Sequence, residues 1–163
     1  RTGIGFDVHR FKKGRKLMLG GVAIKHKAGL AGHSDADVLC HAVADALLGA
    51  AADGDIGVHF PNTDPAWKGV CSLDLLRKVA VRIKAAGMGI NNVDATIVAE
   101  EPRIAPHTAK MKANIALALG VNAGCVSIKA TTPEGMGALG RREGMSALAV
   151  ATVDETASGR GRS

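Results

Sequence analysis

Residues 33–50 have the sequence HSDADVLCHAVADALLGA, in which apolar side chains recur at the spacing of an α-helix. The pattern predicts a helix over residues 35–51. Its apolar positions are Val38, Leu39, Ala42, Val43, Ala46 and Leu47. Asp37, His41 and Asp45 are four residues apart, so they share another face of the helix. That face is either the solvated side of an amphipathic helix or part of a polar site.

Outward from this helix, strand and helix patterns follow one another along the whole chain. Strands are predicted at 2–9, 91–99, 125–131 and 145–153, a hairpin at 17–24, and helices at 72–86 and 106–119. Ser34, with Asp37 three residues later, is a candidate N-cap pair for the first helix. Residues 53–70 are rich in Gly, Pro, Asp and Asn and predict a long irregular loop. The order predicts an α+β sandwich (α/β sandwich), with helices on one face of a mixed sheet and the other face left for another subunit.

Length and apolar content limit the class of protein. A chain of 163 residues fits one domain, and we expect a single catalytic domain over residues 1–155 and a disordered tail over 156–163. No apolar run approaches the roughly 20 residues that span a bilayer, so a transmembrane protein is excluded. The expected location is the bacterial cytoplasm, or a plastid if a transit peptide preceded Arg1.

Basic residues are concentrated at the start of the chain. The net charge is +6, and residues 1–27 hold eight basic residues against the single acid Asp7, a local net of +7. This segment fits a solvated basic hairpin, a site for an anionic small molecule, or a nucleic-acid surface. Binding to single-stranded nucleic acid usually also needs aromatic side chains for stacking. The chain has three Phe, one Trp and no Tyr, which disfavours that class.

The sequence Asp7-Val8-His9 places a carboxylate and an imidazole on one side of the first strand. Two polar residues on a surface strand would look the same. Together with His41 they would form a site with one carboxylate and two histidines, which leaves the fourth tetrahedral position of Zn²⁺ open, as in catalytic sites. Asp45 would then orient the His41 ring through a contact with the ring, without touching the metal ion.

A third polar segment follows the strand at 125–131. It runs from Lys129 to Gly135 with the sequence KATTPEG, and glycine and arginine residues follow at 137–144. Hydroxyl groups and glycine N–H groups can bind phosphate oxygens, and the Glu134 carboxylate suits a hard cation such as Mg²⁺. An ordinary polar hairpin turn is the alternative.

These segments together resemble one enzyme family over residues 2–153, without a large gap. The matching motifs are GFDVH (5–9), GGV (20–22), HSDADV (33–38), His41, DALLGA (45–50), GDIG (54–57), FPNTDP (60–65), KATT (129–132), Gly140-Arg141 and Glu143-Gly144. They are similar to motifs of the 2-C-methyl-D-erythritol 2,4-cyclodiphosphate synthase family of the non-mevalonate isoprenoid pathway. The sequence departs from the family pattern at Asn62, Pro133, Ala138 and Arg142.

The resemblance implies a homotrimer that packs through its sheets, with a four-stranded mixed sheet in each subunit and active sites between subunits. It implies the substrate 4-diphosphocytidyl-2-C-methyl-D-erythritol 2-phosphate, which is cyclised with release of CMP. No nucleic-acid or membrane partner is implied. A phosphoesterase that hydrolyses its substrate at the same metal site is the rival enzyme class, and a basic nucleic-acid-binding module is the non-enzymatic rival.

The resemblance also implies roles for individual residues. Asp7, His9 and His41 would bind Zn²⁺, and Glu134 would bind Mg²⁺ or Mn²⁺. His33 and Thr132 would act on the reacting phosphates. The implied substrate-binding residues are Ser34, Asp55, Ile56, Gly57, Phe60, Pro61, Asn62, Thr63, Asp64 and Arg141. The implied nucleotide-binding residues are Ala99, Glu100, Glu101, Pro102, Arg103, Ile104, Ala105, Thr131, Thr132, Pro133 and Glu134.

Overall fold

The computed structural model describes residues 1–155, and the expected tail at 156–163 lies outside the described residues. The described part of the chain begins with four strands, continues with three α-helices, and then alternates between strands and helices. The strands are β1 (Thr2–Lys12), β2 (Leu17–Leu19), β3 (Val22–Ile24), β4 (Gly29–Leu30), β5 (Met88–Val98), β6 (Val126–Thr131) and β7 (Gly144–Glu155). The α-helices are α1 (Val38–Ala51), α2 (Ile56–His59), α3 (Ser72–Ala85), α4 (Thr108–Leu119) and α5 (Gly137–Gly140).

Over residues 1–155 the main sheet has five strands in the order β4-β1-β7-β5-β6, and β2 pairs with β3 in a separate hairpin. The β5–β6 pair is parallel and the other pairs of the main sheet are antiparallel, so the sheet is mixed as predicted. The expected count of four strands was wrong, because β4 adds a fifth at the edge. With only the two residues Gly29–Leu30, β4 is too short to give a sequence pattern.

Helix α1 packs across β1, β7 and β5 and lies unusually close to β1. A Cβ atom at Gly5 would lie 2.6 Å from the Ala46 nitrogen and closer still to the Ala42 oxygen. Only glycine permits this approach of strand and helix backbones. Because side chains alternate along a strand, Asp7 and His9 face α1 on the same side as Gly5.

The opposite face of the sheet carries exposed apolar side chains. Ile4, Phe6 and Val8 of β1 are 68%, 55% and 51% exposed. Phe6 pairs with Leu148 and Ile4 with Val150 on β7, so the exposed apolar side chains stand in two neighbouring rows. A contiguous apolar surface of this kind is typical of a protein interface.

Two local predictions need correction. Helix α1 begins at Val38 rather than at residue 35, because Ala36 has a φ of 58° and interrupts helical backbone. Asp37 is the N-cap: its Oδ1 accepts the Cys40 N–H at 3.1 Å, whereas Ser34 Oγ accepts the Ala36 N–H. Residues 53–70 also contain α2 and a short 3₁₀ helix over Pro65–Trp67.

Burial of α1 decides between the two interpretations of its polar face. Asp37 is fully buried, its Oδ2 accepts the Gly21 N–H at 2.8 Å, and the side chain of His41 is 13% exposed. The solvated-face interpretation was therefore wrong for these residues. Within residues 1–155, no helix is both long and apolar enough to cross a membrane.

Candidate metal and substrate site

Three side chains from β1 and α1 converge at the end of the sheet. Asp7 Oδ2 lies 2.9 Å from His9 Nε2 and 2.9 Å from His41 Nδ1, and these two nitrogens are 3.2 Å apart. With metal–ligand bonds of the usual length, two ligands of a tetrahedral Zn²⁺ lie about 3.3 Å apart. The three donor atoms thus lie close to the separation that a single Zn²⁺ requires, and within residues 1–155 they form a group that could hold a metal ion.

The Asp7 carboxylate and the His41 imidazole perturb each other's protonation. Burial alone would raise the pKa of Asp7, but hydrogen bonds from His41 and His9, together with their charges, hold that pKa well below its ordinary value. Burial alone would lower the pKa of His41, but the hydrogen bond and charge of Asp7, and the charges of Asp37 and Asp35, raise it. The cluster therefore favours an ionised carboxylate, the form that binds a metal ion.

The second nitrogen of His41 is held by two serine side chains. His41 Nε2 lies 3.0 Å from Ser72 Oγ and 3.1 Å from Ser34 Oγ. Asp45 was expected to orient this ring, but its Oδ1 accepts the Ile56 N–H at 2.8 Å and so fixes the first residue of α2. Burial, opposed by that hydrogen bond and assisted by the charges of Asp55 and Asp7, raises the pKa of Asp45.

A cavity of about 200 Å³ opens next to the three metal-binding side chains. Of the predicted site residues, those lining it are Asp7, His9, His33, Ser34, His41, Asp45, Ile56, Gly57, Phe60 and Asn62. His33 Nε2 is buried and has no hydrogen-bond partner among residues 1–155. A buried ring nitrogen without a partner at the wall of a cavity is suited to contact a bound polar group.

Five residues predicted for the substrate do not line this cavity, namely Arg141 and four residues of the loop after α1. Asp55 caps α2, where its Oδ1 accepts the Val58 N–H at 3.0 Å. Asp64 caps the 3₁₀ helix, where its Oδ1 accepts the Ala66 N–H at 2.9 Å. Pro61 and Thr63 lie between these caps in the same loop. These residues thus shape the loop that carries Ile56, Gly57, Phe60 and Asn62.

The segment predicted to bind a nucleotide forms a second cavity, of about 340 Å³. Its predicted lining residues are Ala99, Glu100, Pro102, Arg103, Ile104, Ala105, Thr131 and Thr132. The segment is fixed to β6 by a hydrogen bond from the Ala99 N–H to the Thr131 oxygen at 3.0 Å. None of the residues that line this cavity lines the first one.

Glu101 does not line the second cavity and lies in a charged cluster. Its Oε1 is 2.7 Å from Lys27 Nζ and 3.5 Å from His26 Nε2, and its Oε2 is 3.8 Å from Arg142 Nη1. The Lys27 hydrogen bond is the largest cause that lowers the pKa of Glu101. These ion pairs connect residues 99–105 to Lys27, which follows β3, and to Arg142 in the turn before β7.

The turn after β6 carries the remaining predicted residues and is exposed. Thr132 Oγ1 donates to Glu134 Oε1 at 2.7 Å, and Glu134 has a φ of 51°, in the left-handed region. Pro133 lies between them and is half-buried. Arg141 pairs with Glu143 at 2.8 Å and lines neither of the two cavities.

Several residues around the first cavity were not predicted from the sequence. Trp67, Val70 and Leu75 line it and supply apolar surface. Arg15 donates to the Gly32 oxygen at 2.7 Å and to the Ser34 oxygen at 2.5 Å, so it fixes the backbone on both sides of His33. The single tryptophan of the chain was an available signal, whereas no pattern linked Arg15 to residues 17 and 19 positions away.

Known proteins are similar in sequence to this chain over nearly its whole length. The chain is 56% identical to the 2-C-methyl-D-erythritol 2,4-cyclodiphosphate synthase of Syntrophomonas wolfei over 155 residues, which is 95% of this chain and 99% of that protein. It is also 56% identical over 151 residues to the bifunctional enzyme IspD/IspF of an Anaeromyxobacter strain. That match covers 93% of this chain, which spans 39% of the longer protein.

The comparison extends to the fold. The structure of IspF from Plasmodium falciparum in complex with CDP has a TM-score of 0.83 with this chain at 30% sequence identity, and 96% of each chain is covered. The sequence model of the YgbB family matches residues 1–154. On sequence and fold alike, this chain belongs to the YgbB family.

Proposed function

We propose that the chain is a 2-C-methyl-D-erythritol 2,4-cyclodiphosphate synthase, a metal-dependent lyase of isoprenoid biosynthesis. In the proposed reaction, an oxygen of the substrate's 2-phosphate bonds to the β-phosphorus of the cytidyl diphosphate. The bond from that phosphorus to the bridging oxygen breaks, and CMP leaves with this oxygen. The proposal rests on one observation. Asp7, His9 and His41 come together at the wall of a cavity, in a chain that belongs to this family.

Zn²⁺ is the metal that we propose for the first cavity. One carboxylate and two imidazoles suit Zn²⁺, and three protein ligands leave the fourth position for a substrate oxygen. Bound there, Zn²⁺ would supply Lewis-acid polarisation of a phosphate oxygen. An intramolecular attack needs positioning and charge neutralisation rather than a protein nucleophile, which is consistent with this set of side chains.

The reacting phosphates would be oriented by His33, Ser34 and Thr132. His33 Nε2 is available for a hydrogen bond to a phosphate oxygen. Ser34 Oγ accepts the Ala36 N–H and lies 3.1 Å from His41 Nε2, so its own hydrogen can donate to substrate when it points away from His41. Each of these contacts would hold the two phosphates close together, which is the main requirement of the proposed cyclisation.

The methylerythritol part would lie against the loop that begins at α2. Ile56 and Gly57 line the first cavity, and Asp45 holds the Ile56 backbone in place. The remaining residues proposed for this part of the substrate are Asp55, Phe60, Pro61, Asn62, Thr63 and Asp64, with Arg141 from the turn before β7. Phe60 packs edge-on against Trp67, with ring centroids 5.0 Å apart, which makes the loop wall apolar behind its polar backbone.

The cytidine would occupy the second cavity, between residues 99–105 and 131–134. Backbone groups of these residues would recognise the base, since none of the residues that line this cavity is aromatic. Glu134 is proposed to bind Mg²⁺ or Mn²⁺ with the diphosphate, since a carboxylate on an exposed turn suits a hard cation that keeps several waters. Releasing the Thr132 hydroxyl from Glu134 would make both groups available to the ligand.

A homotrimer that packs through its sheets is part of the proposal. The two cavities have no lining residue in common within one copy, and the open face of the sheet carries the exposed Ile4, Phe6, Val8, Leu148 and Val150. Symmetric copies packed on this face would bury it and bring the metal-binding cavity of one copy beside the nucleotide cavity of the next. One substrate would then contact two copies.

The basic N-terminal segment is proposed to serve the fold rather than nucleic acid. Arg1 pairs with Glu155 at 3.1 Å, Lys27 pairs with Glu101, and Arg15 binds two backbone oxygens beside the first cavity. We therefore expect no salt-sensitive binding of oligonucleotides. Tight oligonucleotide binding that weakens steeply with added salt would contradict this part of the proposal.

Phosphorus NMR tests the proposed reaction directly. The zinc-loaded protein is incubated with 4-diphosphocytidyl-2-C-methyl-D-erythritol 2-phosphate and Mg²⁺, and the products are followed over time. The proposal predicts a cyclic diphosphate and CMP in equal amounts. Release of linear phosphate would identify a phosphoesterase instead, and an unchanged substrate would contradict both enzymatic assignments.

A further inference from the structure

The two nitrogens of the His41 ring have different surroundings. Nδ1 faces Asp7 Oδ2 and His9 Nε2, whereas Nε2 faces the hydroxyl groups of Ser72 and Ser34. A neutral imidazole carries one hydrogen, and only the nitrogen without it can bind a metal ion. The direction of the hydrogen bonds at Nε2 therefore decides whether Nδ1 presents its lone pair to the metal site.

Ser72 is held by Asp35 through two hydrogen bonds. The Ser72 N–H donates to Asp35 Oδ2 at 3.1 Å, and the Ser72 hydroxyl donates to Asp35 Oδ1 in a short hydrogen bond. A carboxylate only accepts hydrogen bonds, so the hydroxyl hydrogen of Ser72 is committed to Asp35. Ser72 Oγ can then only accept from His41, which requires a ring hydrogen on Nε2, so the hydrogen that Nδ1 donates to Asp7 is the one that leaves when a metal ion binds.

Ser34 does not impose the same direction. Its Oγ accepts the Ala36 N–H at 3.1 Å, and this contact leaves the Ser34 hydroxyl hydrogen able to point toward His41 or away from it. Ser72 has no such freedom, since both of its donors are used by Asp35. Ser72 is also 1% exposed, so no solvent competes for its oxygen.

We infer that Asp35 and Ser72 are positioning residues of the metal site, which keep the hydrogen of His41 on Nε2 and direct the Nδ1 lone pair toward the metal ion. The inference rests on the Zn²⁺ site proposed above, and it adds two residues that touch neither the metal nor the cavity. Hydrogen-bond partners behind a metal-binding histidine typically change metal affinity by about 10- to 100-fold. Asp35 and Ser72 are expected to have effects of that size.

Asp35 and Ser72 also join the beginnings of two helices, so a structural role has to be separated from the positioning role. Asp35 precedes α1, and Ser72 is the first residue of α3. Asp35→Asn separates the two roles because an amide offers only one oxygen. If that oxygen stays on the Ser72 N–H, the amide N–H₂ faces Ser72 Oγ, and the hydroxyl hydrogen turns to His41 Nε2. The direction of the hydrogen bonds is then reversed, at the loss of the hydrogen bond that the Asp37 N–H donates to Asp35 Oδ1 at 3.3 Å, and the thermal melts report how much that loss costs.

The experiment measures the dissociation constant of Zn²⁺ by competition with a chromophoric chelator. The variants are Ser72→Ala, Asp35→Asn and the double variant, and thermal melts of the metal-free proteins report on folding. Each single change is expected to weaken Zn²⁺ binding about 10- to 100-fold. The double variant is expected to bind no more weakly than the weaker-binding single variant, because both residues act through one hydrogen.

Asp74→Asn is the matched control for Asp35→Asn, since it also removes one negative charge, in this case from the first turn of α3. Asp74 is exposed and pairs with Arg77, away from the ring of His41, so its loss should leave Zn²⁺ affinity unchanged. If Ser72→Ala does not fold, the Zn²⁺ affinity of Asp35→Asn, compared with that of Asp74→Asn, tests the inference.

Two results would overturn the inference: wild-type Zn²⁺ affinity in a folded Ser72→Ala or Asp35→Asn variant, or effects that simply add in the double variant. Additive losses would indicate two separate structural roles. A wild-type protein without tight Zn²⁺ binding would instead contradict the proposed metal site itself, so the two failures are distinguishable.

Discussion

The end of β1 and the turn after β6 both carry groups proposed to act on phosphate, but they are built differently. At the first, the side chains of Asp7, His9 and His41 are 23%, 19% and 13% exposed, and their donor atoms already have the separation of metal ligands. At the second, Thr132 and Glu134 are exposed and bind each other. Secondary structure brings the side chains of the first region together, whereas the second region lies on an exposed turn.

The difference follows from the backbone beneath each region. Gly5 lets α1 lie directly on β1, and the strand's alternation then points Asp7 and His9 toward His41. The turn after β6 lies against the four-residue helix α5, where Gly140 approaches Gly135, and it is also held by a hydrogen bond from the Gly135 N–H to Glu100 Oε1 at 2.6 Å. Substitutions in the first region should therefore change the zinc content or the stability of the protein. Substitutions in the second region should change turnover and leave the zinc content unchanged.

The largest effect is expected for His41→Ala. Four-ligand zinc sites are worth about 10–16 kcal/mol, so one ligand contributes on the order of 3 kcal/mol, more than about 100-fold in affinity. We expect Zn²⁺ to be lost on purification and turnover to vanish. Elemental analysis checks this, with His107→Ala as a control histidine outside both cavities. Full zinc occupancy in His41→Ala would be fatal to the assignment of ligands.

Glu134→Gln should weaken turnover without changing the zinc content. A hydrogen bond or ion contact to a charged group is worth about 1.5–3 kcal/mol, which corresponds to roughly a 10- to 100-fold loss. We expect a higher Mg²⁺ concentration to be needed for half-maximal rate, measured by CMP release. Glu155→Gln removes the same charge at the far end of β7 and serves as the control. An unaltered Mg²⁺ dependence in Glu134→Gln would argue against its role.

Gly5→Ala tests whether the close approach of α1 and β1 maintains the first region. The added methyl group would overlap the α1 backbone, so we expect a loss of about 1–3 kcal/mol in the free energy of unfolding, together with weaker zinc binding. Thermal and urea melts measure the first quantity. Gly124→Ala is the matched control, because a Cβ atom there meets nothing within 4 Å. Equal stability of the two variants would refute the packing argument.

The smallest effect concerns the pH dependence of stability in the metal-free protein. Burial is the main cause that raises the pKa of Asp45, so its ionised form disfavours the folded state above that pKa. This cost disappears as the pH falls through the folded pKa toward the unfolded value of about 4. Asp45→Asn should therefore melt higher than wild type at pH 7, with a smaller difference near pH 4. A lower melting temperature at pH 7 would show that the hydrogen bond to Ile56 dominates.

Much of this organisation could be predicted from local sequence patterns. Alternation placed Asp7 and His9 on one side of β1, and the four-residue spacing placed His41 on one face of α1 with Asp37 and Asp45, whereas the family resemblance selected the three expected metal ligands. The main helices, the β2–β3 hairpin and the mixed sheet followed in the same way. These features depend on residues close in sequence, where periodicity is informative.

The rest depends on contacts between distant residues. Asp35 and Ser72 are 37 positions apart, so their hydrogen bonds left no periodic signal. Asp37 was placed on a polar face, yet it is buried because its carboxylate binds the N–H of Gly21, 16 positions earlier. The role of Asp45 at α2 rather than at the His41 ring likewise depends on how the loop after α1 folds back.

Anomalous diffraction at the zinc edge tests the central claim most directly, namely that β1 and α1 of one chain build a zinc site. We expect, in crystals of the zinc-loaded protein, one peak about 2.0–2.2 Å from Asp7 Oδ2, His9 Nε2 and His41 Nδ1. No peak between these atoms, or ligation through Nε2 of His41, would contradict the account.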